Sequence, residues 1–107
     1  MGTTGKILGQ SLPAAITNTV LYTVPASTEA EVSLKICNQS ATASAIRVAL
    51  VPDGYALATK HYVIYDYSLD GNQMIDMTSI SLSAGDFIVV YTANATVSFV
   101  ATGLEVA

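Results

Sequence analysis

Alternation of apolar and polar residues with a period of two recurs along almost the whole chain and restricts its fold more than any other feature. It is clearest at residues 20–24, 32–36 and 46–50, where Val, Leu, Ile and Tyr occupy every second position. Side chains of a β-strand point alternately to two faces, so each apolar set is predicted to line a buried face. No segment has the periodicity of a long helix. The sequence therefore predicts an all-β fold.

Turn residues divide the chain into about seven or eight short strands. Pro25 and Pro52 end the first and third alternating segments, and the small polar residues 39–44 suit a hairpin connection between the second and the third. Further strands are predicted at 62–67, 74–82, 87–91 and 96–106, while residues 53–60 suit either a single helical turn or a loop. This spacing predicts an antiparallel β-sandwich of immunoglobulin-like or jelly-roll topology.

A chain of 107 residues is long enough for one domain. Residues 1–6 are predicted to be a flexible N-terminal arm and residues 7–107 the sandwich domain. Ile7 and Leu8 follow the arm and suit an apolar pair that docks on a neighbour, with a frayed terminus as the equal alternative. Gly and polar residues interrupt the first ten residues, so no signal peptide is predicted. No apolar run approaches the roughly 18 residues that cross a bilayer, so no membrane partner is expected.

Charged residues are scarce, at 11% of the chain. The surface of a soluble monomer usually has roughly 25–35%. Part of the surface is therefore predicted to contact another subunit. The four basic residues are scattered and the net charge is -4, which argues against a nucleic-acid groove.

Few residues are available for catalysis or for binding a transition metal. His61 is the only histidine and Cys37 the only cysteine, and no Gly-x-Ser-x-Gly nucleophile motif occurs. One His and one Cys do not supply the three or four ligands of a zinc site. Cys37 is predicted to be a small buried thiol. We predict that the protein is not an enzyme and needs no cofactor.

One segment matches part of a calcium-binding loop. Asp66, Ser68 and Asp70 occupy relative positions one, three and five, and Gly71 occupies position six. Met77 stands where the bidentate glutamate of such a loop would be. An ordinary Asp-Gly hairpin turn between two strands is favoured, and calcium binding is left open.

Aromatic and doubly apolar strands indicate candidate interface residues. Tyr62, Tyr65 and Tyr67 fall within six residues, and rings with polar tips suit protein interfaces or carbohydrate binding. The favoured interpretation, however, is that alternate rings pack in the core while the others cover the outer face of the sheet. The segment 87–91 is apolar on both faces, so either a loop covers it or a subunit does, and the low charge favours a subunit. Ile88 and Val90 are therefore included in the predicted interface.

The chain resembles a group of small virion proteins of tailed bacteriophages over nearly its full length. Five segments carry the likeness, namely LGQS at 8–11, LYTVPA at 21–26, ICN at 36–38, ATKHY at 58–62 and LSAGD at 82–86. None of them is a catalytic motif. The resemblance implies a β-sandwich displayed in many copies on the particle, most often as a capsid decoration or cement protein.

Several expectations follow from this resemblance. The protein would bridge neighbouring copies of a major capsid protein on the outer capsid surface, after synthesis in the host cytoplasm. Such a role suits a homo-oligomer, either a dimer or a trimer, because many weak contacts become collectively strong. The alternative function is a tail, fibre or receptor-binding component of the virion.

Overall fold

The alternating segments form eight β-strands in the computed structural model, which describes residues 2–107; Met1, the first residue of the predicted arm, lies outside this range. The strands are β1 (Thr3–Ser11), β2 (Thr19–Thr23), β3 (Glu29–Asn38), β4 (Ser44–Val51), β5 (Tyr62–Leu69), β6 (Met74–Leu82), β7 (Phe87–Thr92) and β8 (Val97–Val106). A short 3-10 turn, Thr59–His61, precedes β5. It lies at the end of the segment predicted as a helical turn or a loop. Within residues 2–107 no helix is long and apolar enough to cross a membrane.

The strands form two four-stranded antiparallel sheets that pack face to face, so the predicted β-sandwich is confirmed. Sheet I has the order β1-β8-β3-β6, and sheet II has the order β2-β7-β4-β5. The central strands are therefore β8 and β3 in sheet I, and β7 and β4 in sheet II. Strands β3 and β4, like β5 and β6, are consecutive in sequence but belong to different sheets, so both hairpin predictions are wrong.

The core lies between the sheets and is built from the inward side chains of the alternating segments. Val32, Leu34 and Ile36 of β3 are buried there, together with Ile46 and Val48 of β4. These are the residues that the alternation placed on one face.

The first alternating segment departs from this prediction. Val20 is 56% exposed, whereas Tyr22 and Val24 are buried. The pairing of β2 with β7 shifts register between Val20 and Tyr22. A bulge adds one residue to a strand and reverses the side-chain alternation beyond it, so Val20 faces outward.

The N-terminal residues differ from the predicted flexible arm, because residues 3–6 belong to β1 and pair with β8. The Lys6 ammonium lies 2.7 Å from a carboxylate oxygen of Glu105, and that carboxylate also accepts a hydrogen bond from the Tyr22 hydroxyl. These contacts join β1, β8 and β2. A Cβ added at Gly9 would lie 2.3 Å from the Leu21 carbonyl oxygen, so glycine allows β1 to approach β2 closely.

One end of the sandwich is held by the buried side chain of Asn38 at the end of β3. Its amide nitrogen donates to the carbonyl oxygens of Thr42, 2.9 Å away, and of Leu69, 3.1 Å away. Its amide oxygen accepts from the backbone of Ser40 and from the Thr96 hydroxyl. One satisfied buried amide thus ties together the loops that follow β3, β5 and β7.

Candidate binding surface

A β-bulge on strand β5 creates the most elaborate side-chain cluster on the surface of sheet II. The register pairs Ile46 with Tyr67 and Val48 with Ile64, so two residues of β5, Tyr65 and Asp66, lie opposite the single residue Arg47. Asp66 has a φ of 52°, in the left-handed region that Asp tolerates better than most residues. Because Ile46 and Val48 point into the core, Arg47 points outward.

The guanidinium of Arg47 is held by two rings and one carboxylate. Its carbon lies 4.3 Å from the centre of the Tyr65 ring and 4.4 Å from that of Tyr91 on β7. Arg47 Nε and Nη2 donate to the two carboxylate oxygens of Asp66 at 2.5 and 3.2 Å. The planar group therefore forms a two-pronged ion pair and two cation-π contacts, an arrangement that lysine could not reproduce.

This ion pair keeps both partners charged. The hydrogen bond from Arg47 holds the pKa of Asp66 below its usual range, and the same bond raises the pKa of Arg47. Both side chains remain in contact with water, so the ion pair orients the Arg47 guanidinium more than it stabilises the fold.

A further tyrosine extends the cluster along β5. The rings of Tyr62 and Tyr65 meet edge to face, with centres 4.9 Å apart and planes at 78°. Such T-shaped contacts are favoured by the opposite charge of ring face and ring edge. We call the surface formed by Arg47, Tyr62, Tyr65, Asp66 and Tyr91 the tyrosine face.

Beside the tyrosine face, the outer side of sheet II carries a second, smaller hydrophobic cluster. Its buried members are Ala49, Val51 and Val89, and Leu57, Tyr62 and Phe87 pack against them. Leu57 comes from the connection between β4 and β5, so the chain covers this part of the sheet itself. This explains why 87–91 is apolar on both faces: Ile88 and Val90 enter the main core, and Val89 enters the outer cluster. The preferred explanation, a covering subunit, is wrong for Val89.

The same connection places His61 and Tyr55 next to one another. His61 is 8% exposed, and its Nδ1 accepts a hydrogen bond from the backbone of Ala58 at 3.0 Å. The rings of Tyr55 and His61 meet edge to face at 6.3 Å, and the Lys60 ammonium lies 5.5 Å from the centre of the Tyr55 ring. His61 therefore packs within the connection that covers sheet II.

The structure separates the residues predicted as an interface. Tyr62 and Tyr65 are brought together on the tyrosine face. Ile88 and Val90 are fully buried between the sheets, so the interface prediction is wrong for these two residues. Leu8 is half-buried and packs against the main core. The prediction erred because β7 is a central strand whose two faces are both covered within this chain.

Tyr67 and Ile7 are exposed but lie away from the tyrosine face. Tyr67, 50% exposed, pairs with the inward residue Ile46, so it lies on the opposite side of β5 from Tyr65, at the sheet edge. Ile7, 59% exposed, is on β1 of sheet I.

Asp66 of the tyrosine face was considered only for calcium, and two further members, Arg47 and Tyr91, were not predicted for any site. Each alternates with core residues, Arg47 between Ile46 and Val48, and Tyr91 after Val90. Their outward position was thus readable from the alternation. Their proximity was not, because it depends on β4 and β7 being neighbours in sheet II.

Two of the residues considered for calcium contact other groups of the chain. The Asp66 carboxylate binds Arg47, and the Asp70 backbone oxygen lies near the Asn38 amide. Among residues 2–107 no three His, Cys, Asp or Glu side chains are placed to hold a metal ion. Cys37, predicted to be buried, is half-exposed because its neighbours Ile36 and Asn38 point inward.

Half of the charged side chains form ion pairs in the described residues. Three ion pairs, Lys6–Glu105, Lys35–Asp76 and Arg47–Asp66, use three of the four basic side chains. Two of the remaining acids, Glu29 and Glu31, line a shallow groove with Ser81 and Val106 at one end of sheet I. The groove is acidic, whereas the tyrosine face is aromatic and locally neutral.

The fold and this surface define an all-β sandwich with one preorganised aromatic face. No protein-family model, curated protein or solved structure matches the chain. Its function is therefore argued from the residues themselves.

Proposed function

We propose that the protein is a structural component of a bacteriophage virion that decorates the capsid and stabilises it by bridging capsid subunits. The chain is synthesised in the host cytoplasm and forms a homo-oligomer. Its partner is the major capsid protein, which it binds on the outer surface of the particle. The single observation that carries this proposal in the structure is the tyrosine face; the resemblance in sequence supplies the virion context.

The tyrosine face has the composition of a protein interface. Tyr and Arg are enriched in interfaces and supply a large share of their binding energy. Tyr65 is 55% exposed, so part of its ring is available to a partner although the ring also contacts Tyr62 and Arg47. A capsid subunit that covers this ring would bury apolar area without separating an unpaired charge from water.

Preorganisation also supports the proposal. Arg47 is fixed by two rings and a carboxylate before any partner binds. Binding therefore immobilises few additional rotamers, which lowers its entropic cost. A surface of this kind suits a rigid bridge between subunits.

The charge arrangement favours a protein partner over a nucleic acid. Arg47, Lys6 and Lys35 already bind carboxylates, so a phosphate would have to displace those carboxylates from them. On a capsid, many copies would act together, and repeated weak contacts would hold the shell collectively.

The test compares two tyrosines that are similarly exposed but lie on opposite sides of β5. Tyr65→Ser removes a ring from the tyrosine face, and Tyr67→Ser is the matched control. Binding of each purified variant to capsids lacking this protein is measured by co-sedimentation over a range of concentrations. We expect capsid affinity to fall about tenfold or more for Tyr65→Ser and to change little for Tyr67→Ser.

Circular dichroism and thermal unfolding of both variants verify that the sandwich is intact. Equal affinities for the two variants and the wild type would reject the tyrosine face as the capsid contact. Absence of wild-type binding to capsids at any concentration would reject the decoration role itself.

The second candidate is a tail, fibre or receptor-binding component. The observation in its favour is that the tyrosine face combines exposed rings with the hydrogen-bonding groups of Arg47 and Asp66, a combination that also suits a sugar. Gold-labelled antibody on intact particles separates the two candidates. Label over the head supports decoration, whereas label confined to the tail, with glycan binding lost in Tyr65→Ser, supports the receptor-binding role.

A further inference from the structure

Strand β1 forms an open edge of sheet I, and its residues 3–7 pair with β8 in a regular register. The residue pairs from Thr3–Val106 to Ile7–Thr102 follow without interruption, and the register shifts only beyond Ile7. The ladder continues to Gly2 and Ala107, which exchange two backbone hydrogen bonds. Register shifts divide the other three edge strands, β2, β5 and β6, into shorter uninterrupted stretches.

The hydrogen bonds of Gly2 determine which backbone groups of β1 are free. In an antiparallel ladder, residues that bond to the partner strand alternate with residues that direct both N–H and C=O away from it. Since Gly2 bonds to Ala107, Thr4 and Lys6 also bond towards β8. Thr3, Gly5 and Ile7 therefore direct their N–H and C=O groups to the open edge, where a further strand would pair.

The usual protection of an edge strand is weakened at this site. A lysine on an edge normally discourages pairing with another chain. Lys6 is instead directed to Glu105 and forms an ion pair with it. Its charge is thus compensated within the same chain.

The outer side of this edge is self-complementary about Gly5. A Cβ added at Gly5 would lie 3.2 Å from Cδ2 of Leu104, so the Leu104 side chain lies over the glycine. Leu104 is 45% exposed. If two copies of β1 met antiparallel with Gly5 opposite Gly5, each Leu104 side chain would lie over the glycine of its own copy, on the same face of the joined sheet.

We propose that two copies of this chain associate through antiparallel pairing of their β1 strands about Gly5. Thr3 of each copy then pairs with Ile7 of the other, and the two sheets I become one continuous eight-stranded sheet with about six new backbone hydrogen bonds. A contact of this kind is isologous and closes after two copies. This dimer is a specific form of the homo-oligomer in the proposed function, and it rests on that part of the proposal.

Charge variants at the symmetry axis test both the contact and its register. Gly5→Glu and Gly5→Lys each place like charges opposite one another in a homodimer, and a mixture of the two variants places opposite charges there. Sedimentation equilibrium at low ionic strength should give wild-type protein twice the mass of one 11.1 kDa chain. The dimer dissociation constant should rise about fivefold for each variant alone and recover in the mixture.

Gln10→Glu is the matched control, since it adds the same charge to β1 beyond the register shift, and it should leave the dimer unchanged. Thr3→Pro is a second variant: it removes an N–H at the open edge while keeping the bonds to β8. It loses one donor in each copy and should weaken the dimer about thirtyfold.

The inference would be overturned if the wild-type protein stayed monomeric at all concentrations. It would also be overturned if the mixture of the two Gly5 variants dimerised no more tightly than each variant alone. Co-sedimentation with capsids distinguishes this failure from failure of the proposed function. A monomer that binds capsids overturns only the dimer, whereas a dimer that does not bind capsids overturns the decoration role.

Discussion

The two outer faces of the sandwich have different compositions although both sheets follow the same alternation. On β3 of sheet I, the residues between the buried positions are Glu29, Glu31, Ser33, Lys35 and Cys37. On β4 and β7 of sheet II, the outward residues are Arg47, Ala49, Val51, Phe87, Val89 and Tyr91. Strand β3 of sheet I therefore meets water with mostly polar side chains, while its neighbours β6 and β8 add exposed apolar ones such as Met74 and Leu104. Sheet II carries a second layer of apolar contacts and the tyrosine face.

This difference shows how a stretch that is apolar on both faces should be interpreted. Such a stretch requires cover on each side, but the cover can come from the same chain. In sheet II the connection between β4 and β5 adds Leu57 to the cluster that contains Val89, and the neighbouring tyrosine face stays exposed to a partner.

The strongest test of the comparison places a carboxylate on each outer face. Val89→Asp introduces a charge beneath the β4–β5 connection, where it has no partner, and should lower the free energy of unfolding by about 3 kcal/mol or more. Val100→Asp on β8 adds the same charge to the half-exposed outer face of sheet I and should cost less than about 1 kcal/mol. Urea unfolding measures both. Equal decreases in the free energy of unfolding for the two variants would contradict a buried hydrophobic layer on the outer face of sheet II.

A milder substitution tests the covering segment itself. Leu57→Ala removes the side chain that the β4–β5 connection packs on the outer cluster, and should destabilise the protein by about 1–2 kcal/mol. Met74→Ala, on the outer face of sheet I and 54% exposed, is the matched control and should have a smaller effect. Thermal and urea unfolding give the two values. If Leu57→Ala has no larger effect than its control, the connection does not stabilise sheet II.

The smallest effect concerns one ion pair on each sheet. Hydrogen bonds from Arg47 and from Lys6 hold the pKa values of Asp66 and Glu105, respectively, below their usual range. A carboxylate whose pKa is lower in the folded state stabilises the fold above its unfolded pKa, and this contribution is lost as the pH falls through the folded value. The melting temperature should therefore fall as the pH decreases below about 4.5.

Variants assign this acid sensitivity to the two sheets. Asp66→Asn and Glu105→Gln should each reduce the fall in melting temperature, because the substituted amide does not titrate. Asp70→Asn is the control, since its carboxylate forms no ion pair in the described residues. An unchanged pH profile in both test variants would show that these pairs do not contribute to acid stability.

Much of the strand pattern was predictable from local sequence, and the exceptions have specific causes. The segments around Leu34 and Val48 were assigned correctly because one face of each strand is buried and the other is not. Strand β1 was missed because it is an edge strand with mostly exposed residues, and alternation does not identify such a strand. Val20 was placed in the core because a bulge cannot be detected from alternation alone.

The candidate site was predictable only in part for a related reason. Tyr62 and Tyr65 were recognised because they are close in sequence. Their partners Arg47 and Tyr91 come from other strands, and Asp66 joins them through a backbone conformation with positive φ. Tyr67, which is equally close in sequence, lies on the opposite side of β5.

The amino-acid sequence by itself determined that this chain forms short strands around a buried core, because alternating side chains must separate into two faces. It also determined how few charges the surface carries. The tertiary structure alone decided which strands are neighbours, and therefore that Arg47 lies between Tyr65 and Tyr91 and that Val89 is covered from within. The physical reason is that strand order and register depend on contacts between residues far apart in sequence, which no local pattern encodes.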